Sequence, residues 1–201
     1  KDAGKVSIIT QYGRLPQIKA VRMPAPYPRT LPKSRRPNDQ ETHVPHAKYE
    51  ALVARARSHP PARTVVVHPC DEASLKGAVE AAEIGLIDPV LVGPRQKIEA
   101  TARAAGISLA PYAVVDAPHS HAAAALGVAL IRKGEGTLLM KGSLHTDELM
   151  HEVTAAETGL RTSRRVSHVF VMDVPSYAET LFITDAAINI FPDLDTKVDI
   201  V

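Results

Sequence analysis

Tryptophan is absent from these 201 residues, and aromatic side chains make up only 4%. A core must therefore be packed from Ala, Val, Leu and Ile. Cysteine occurs once, at Cys70, which excludes an internal disulfide and fits a reducing compartment, so the expected location is cytoplasmic. A lone Cys reads more readily as a buried bystander than as a catalytic thiol. Charge of one sign is scarce too. The net charge of +2 argues against a dedicated nucleic-acid binder, although the first third is the more basic. No apolar run approaches the roughly 20 residues a membrane helix needs. No leader is visible, but the chain starts at Lys1, so this excludes little. There is no Gly-x-Gly-x-x-Gly or Walker-type loop, no Gly-x-Ser-x-Gly elbow and no His-Glu-x-x-His pair among the nine histidines. His119 and His121, two apart, fit a helix start better than a metal site.

What is present divides in two. Residues 1–45 are Pro-rich, with Arg29, Lys33, Arg35 and Arg36 interspersed, and read as a linker or tail, with a short strand at 6–10 that could end a preceding domain. From about residue 46 the pattern alternates. Helical spacing is expected at 48–58, 72–86 (capped by Asp71), 95–105 (closed by Gly106), 120–133 (closed by Gly134) and 146–158 (stopped at Gly159). Continuous or β-branched apolar runs at 64–67, 89–92, 113–115 and 138–140 read as strands buried on both faces. Residues 169–174 and 180–184 read as an antiparallel hairpin added to that sheet, and a last helix opens at Asp195. Strands alternating with helices predict an α/β fold: a mostly parallel sheet with helices on both faces. The missing end of that last helix reads as a C-terminal truncation.

Polar residues gather at the ends of three strands. Lys141-Gly142 follows a buried strand; Lys offers a point charge for phosphate and Gly a close backbone approach, or both simply make a turn. His145-Thr146-Asp147 open a helix, where Thr146 would cap and free amides would hold an anion. Arg161, Arg164 and Arg165 surround Ser163 and Ser167, a composition suited to planar phosphate recognition or to a solvated loop. Thr184, Asp185 and Asn189 end the last strand. In open α/β sheets, ligands bind at such strand ends.

Lys141-Gly142, His145-Thr146, Gly159-Leu160-Arg161-Thr162, Val166-Ser167-His168 and the run Ile183-Thr184-Asp185-Ala186-Ala187-Ile188-Asn189 together resemble the phosphate acetyl/butyryltransferase family. The overall pattern is most similar to the phosphotransacetylase part of bifunctional enoyl-CoA hydratase/phosphate acetyltransferase proteins. The resemblance runs from about Tyr49 to Val201 and makes residues 46–201 the N-terminal part of a phosphate acyltransferase domain. It implies an isocitrate/isopropylmalate dehydrogenase-like fold, present here in part, with the active site in a cleft. It implies reversible transfer of an acetyl or butyryl group between coenzyme A and phosphate, both substrates, with no cofactor or metal, and a homo-oligomer.

Within that resemblance, Lys141, Gly142, His145, Thr146, Arg161, Arg164, Ser167, Thr184, Asp185 and Asn189 are the expected substrate-binding residues, and no catalytic base is identified among them. The family's Ser-Arg motif and the Asp proposed as its base belong to a part absent from these residues, so this stretch is expected to be inactive alone. Met150 stands where acetyltransferases carry an Arg, as in the butyryl-like branch. Two other readings compete: a noncatalytic α/β module binding CoA or a phosphorylated metabolite, and an NAD-dependent decarboxylating dehydrogenase relative. The second lacks metal-binding carboxylates and a nucleotide loop.

Overall fold

The computed structural model describes residues 7–10, 47–174, 176–185 and 188–201. The Pro-rich stretch and its basic cluster at 33–36 lie outside the described residues, as do Pro175, Ala186 and Ala187.

The sheet is organised by the β-branched run. Strand β2 (Ala62–Val67) ends in three valines, Val65, Val66 and Val67, each fully buried. Successive strand side chains point to opposite faces, so Val65 and Val67 enter one apolar cluster and Val66 the other. Burial of each such side chain is worth about 1.5–3 kcal/mol. Both faces therefore need a cover, which helices provide. Strands β1 (Ser7–Thr10), β3 (Ile87–Gly93), β4 (Ala113–Asp116) and β5 (Leu138–Lys141) join β2 in the order β1-β5-β2-β3-β4, with every pairing parallel.

Helices α2 (Glu72–Glu83) and α3 (Arg95–Ala105) cover one face. Leu75, Ala78, Ile98 and Ala102 pack there against Val66, Leu91 and Met140. Helices α4 (Ser120–Arg132) and α5 (Thr146–Thr154) cover the other. Ala123, Ala124, Val128, Leu149 and Val153 pack there against Val65, Val67, Val92 and Leu139. The expected α/β architecture with two helical layers is thus present.

Helices α2 to α5 start where expected, but some of them stop sooner. Asp71 caps α2 by accepting from Ser74 N at 2.8 Å, and Gly106 closes α3 in the left-handed region at φ 68°. Helix α2 ends at Glu83 instead of residue 86, because the chain turns through Gly85 at φ 77°. Helix α5 ends at Thr154 instead of residue 158. Ala155 leaves the helix at ψ 137°, and Gly159 N and Leu160 N close the turn by donating to Ala155 O and Val153 O. Helix α1 (Ala47–Arg57) forms at the expected spacing but buries no residue; Tyr49 and Leu52 stay exposed.

One expectation is corrected. Strands β6 (Val169–Met172) and β7 (Leu181–Thr184) are antiparallel, but they form a separate two-stranded sheet and do not join the five-stranded one. Among the described residues their apolar side chains find no helical layer: Val169, Phe170, Val171, Met172, Phe182 and Ile183 are all exposed. Lys48 of α1 anchors the connection between them, donating to Val174 O at 2.7 Å and Tyr177 O at 2.6 Å and pairing with Asp173. Helix α6 (Leu194–Ile200) follows, starting at Leu194 with Asp193 as its cap, one residue ahead of the expected opening.

Candidate functional site

The chain steps outward from β2 through α2 to β3 and through α3 to β4. It then returns over α4 to place β5 on the other side of β2. Strand order therefore reverses between β2 and β5. In open α/β sheets a crevice opens beyond the carboxyl ends of the strands at such a point, and ligands bind there.

The register pairs Val67 with Lys141, so the next residues, His68 and Gly142, meet at the mouth of the crevice. Gly142 N donates to Val67 O at 2.8 Å and Ser143 N to His68 O at 2.8 Å. A Cβ on residue 142 would lie 2.5 Å from Val67 O and 2.6 Å from His68 O. The smallness of Gly142 is thus used by the neighbouring strand's backbone. Lys141 is half-buried, and its Nζ donates to Gly142 O at 3.2 Å.

Ser143 and His68 lock the two strand ends together. Ser143 Oγ donates to His68 O at 2.9 Å and accepts from Cys70 N at 3.1 Å, while His68 Nδ1 lies 3.0 Å from Ser143 O. His68 sits at φ 55°, in the left-handed region. For a residue other than Gly that conformation costs on the order of 1–3 kcal/mol and recurs at functional sites. Cys70 is half-buried, and burial pushes its thiol up to about 11, with Asp71 adding to the effect and Lys97 opposing it. A thiol held in that state is a poor nucleophile near neutral pH. The bystander reading of Cys70 fits this environment.

Helix α5 starts at the same edge. Its cap is His145, extended at φ −69° and ψ 147°, with no side-chain bond to the helix amides; the expected cap, Thr146, is instead the exposed first helical residue. Asp147 and Glu148 occupy its first turn. Glu148 Oε1 lies 3.8 Å from His121 Nδ1, and its Oε2 is buried without a hydrogen-bond partner among the described residues. His119 caps α4 by accepting from Ala122 N at 3.2 Å, in keeping with a helix-start role. Among the described residues no three metal-binding side chains converge.

The remaining expected residues form a second locus. With nine residues, α5 carries the chain about 14 Å away from the strand ends. Leu160 is tied to Val153 O at its far end, so Arg161 departs from there, exposed. Arg164 Nε pairs with Asp199 Oδ1 at 2.5 Å, and its Nη2 donates to Asp199 O. Arg165 N also donates to Asp199, at 3.0 Å, and these contacts hold the Asp199 carboxyl below the usual carboxylate range. Asp185 accepts from Ile188 N at 3.0 Å and Asn189 N at 3.1 Å. Asn189 Nδ2 donates to Asp185 Oδ2 and to Val166 O, the latter at 3.0 Å. Thr184 pairs with Val169, and Ser167 is half-buried nearby in sequence. None of the described hydrogen bonds or ion pairs runs from Lys141, His145 or Thr146 to this second locus.

Sequence reasoning missed His68 and Glu148. The available signal for His68 was the one that singled out Lys141: a polar residue directly after a fully buried strand. Glu148 carried no such signal, because its burial arises from the packing of α5 beside α4.

Residues 119–201 match the family model described as phosphate acetyl/butaryl transferase. A phosphate acetyltransferase of Rhizobium meliloti is 66% identical over 155 residues, covering 77% of this chain and 49% of that protein. A phosphate butyryltransferase of Clostridium beijerinckii is 33% identical over 153 residues, covering 76% of this chain and 51% of that protein. The chain thus spans about half the length of the curated relatives it matches. A crystal structure of a phosphotransacetylase from Streptococcus pyogenes superposes with a TM-score of 0.63 at 16% identity, over 75% of this chain and 55% of that one, and supports the fold. With its 119–201 segment matching the family model and most of its length aligned to these relatives, the chain belongs to the phosphate acetyl/butaryl transferase family.

Proposed function

We propose that the protein transfers an acyl group, acetyl or butyryl, reversibly between coenzyme A and inorganic phosphate. The carrying observation is the 66% identity to a protein named phosphate acetyltransferase, which extends over the strand ends that form the β2/β5 crevice. The reaction needs groups that hold a phosphate dianion and offset the charge developing on the carbonyl oxygen. Lys141 supplies a cation at the crevice, and the amides at the start of α5, beside His145 and Thr146, supply uncapped donors. Gly142 sets the spacing of the two strand ends. Arg161, Arg164 and Ser167 bind phosphate or CoA from the second locus, Arg164 by exchanging its Asp199 partner for the anion. Thr184, Asp185 and Asn189 shape that locus. No cofactor takes part, the enzyme acts in the cytoplasm, and it works as a homo-oligomer, a state favoured by the exposed apolar hairpin.

The test measures free CoA and acyl phosphate from acetyl-CoA and butyryl-CoA with phosphate, with arsenate in its place as control. In the full-length protein, CoA release that depends on phosphate or arsenate is expected with at least one thioester; its absence with both overturns the reading. Lys141→Ala and Arg164→Ala are expected to raise the apparent KM for phosphate. Unchanged kinetics would remove either residue from the site.

A further inference from the structure

We propose that Asp199 is an internal competitor of the anionic substrate, filling an anion site built by Arg164 and Arg165 until a phosphate group displaces it. The inference rests on the acyltransferase reading above and adds a regulation of its second locus, in which Arg165 and Asp199 take part. The donor set carries it first. Three groups of the loop after α5 approach the Asp199 carboxylate. Arg164 Nε lies 2.5 Å from Oδ1, the Arg165 amide donates to Oδ2 at 3.0 Å, and Arg165 Nε lies 3.9 Å from Oδ2. Two guanidinium groups and a backbone N–H converging on the oxygens of one anion form a set that also suits phosphate. Thr162 shapes the loop, its Oγ1 accepting from Arg164 N at 3.1 Å, and the next amide, that of Arg165, faces Asp199.

Access and charge carry it further. The side chains of Arg164 and Arg165 are 65% and 56% exposed, so a solute anion reaches both cations without any opening of the core. Arg161 adds a third cation to the same loop and makes none of the described hydrogen bonds or ion pairs. On α6, Asp193 is engaged elsewhere: its Oδ1 accepts from Thr196 N at 2.8 Å as the helix cap. Asp199 is therefore the carboxylate that occupies the arginine pair. Exposed ion pairs are weak and exchangeable, and a phosphate dianion brings more charge and more acceptor oxygens than a carboxylate. Arg164 Nη2 also donates to Asp199 O, so the same exchange loosens the last turn of α6 from the loop.

The decisive variant is Asp199→Asn in the full-length protein. Its side-chain oxygen can keep the bond from the Arg165 amide while the competing charge is lost. The KM for inorganic phosphate or for acetyl-CoA is expected to fall about two- to five-fold, the scale of an exposed ion pair, with kcat little changed. Which of the two falls identifies the displacing anion as inorganic phosphate or as a phosphate of CoA. A fall in neither overturns the proposal and leaves Asp199 as a tether of α6. Asp193→Ala controls for loosening, because it removes the cap of α6 and leaves the Asp199 carboxylate in place. It is expected to lower neither KM; an equal fall would trace the effect to α6 and overturn the competition. A wild-type protein without phosphate-dependent CoA release overturns the acyltransferase reading instead, and a measurement without turnover then still decides on Asp199. The Arg165 amide, aided by Arg164, holds its carboxyl below the usual carboxylate range. In ¹³C-labelled protein that carboxyl is expected to titrate closer to its ordinary value when inorganic phosphate or CoA is added to saturation. A titration that neither anion moves sinks the proposal.

Discussion

The five-stranded parallel layer and the β6–β7 hairpin with α6 hold the same kinds of residue in opposite ways. In the first, Val65, Val66, Val67, Leu91 and Leu139 are completely buried between two helical layers. In the second, Phe182 is 65% exposed and Phe191 95% exposed, and order comes from polar contacts such as Arg164 with Asp199 and Asn189 with Asp185. The difference teaches where geometry at a site comes from. Lys141, Gly142 and Ser143 inherit their positions from a packed sheet, while Arg164, Asp185 and Asn189 are placed by exposed hydrogen bonds that water and ligands can compete for.

The sharpest way to break this comparison is a matched pair of truncations. Leu139→Ala removes a fully buried side chain and is expected to cost about 2–5 kcal/mol. Phe182→Ala is expected to stay within about 0.5 kcal/mol, as exposed substitutions do. Urea unfolding of both checks this; a Phe182 loss as large as that of Leu139 would mean the hairpin is packed in solution. Next in size is Gly142→Ala, whose Cβ must push two backbone carbonyls apart. A cost of about 1–3 kcal/mol is expected, as for overpacking elsewhere, and weakened amide-exchange protection at Ser143 would place the strain at the crevice. Asp71→Ala removes the cap of α2 and should cost about 0.5–2 kcal/mol, read as a lower denaturation midpoint with an unchanged slope.

The smallest effect is electrostatic. The backbone hydrogen bond from Arg165, aided by Arg164, holds the Asp199 carboxyl below its ordinary value. Its contribution is therefore fully present above that ordinary value and fades as pH falls through the native one. Exchange protection of the Arg165 amide should weaken in that acid range, while protection in β2 stays constant. Simultaneous loss in both would show the two regions to be one cooperative unit.

Much of this was legible because local rules and burial pointed the same way. The β-branched run at 64–67 could only be a strand buried on both faces, Asp71 and Gly106 marked a helix start and a helix end, and Lys141 announced a strand end. The hairpin was legible as strands but not as a separate sheet. Period and β-propensity say nothing about which edge a strand joins, and that choice rests on contacts distant in sequence. Thr146 was misread as the cap because His145 and Thr146 are both adjacent to the helix, and only the backbone dihedrals separate them. The expected site residues were legible as types, but their division into two loci depends on the direction in which α5 carries the chain.

The sequence by itself determined the element order, the two-faced burial of the strands and the polar character of their carboxyl ends, because apolar periodicity and turn chemistry are local properties. Tertiary structure alone decided that β5 lies beside β2, that Gly142 is spaced by the carbonyls of Val67 and His68, and that Ser143 fixes the His68 ring. Those facts depend on parallel pairing between segments more than 70 residues apart, with His68 and Ser143 separated by 75, and no local pattern encodes the register of such a pair.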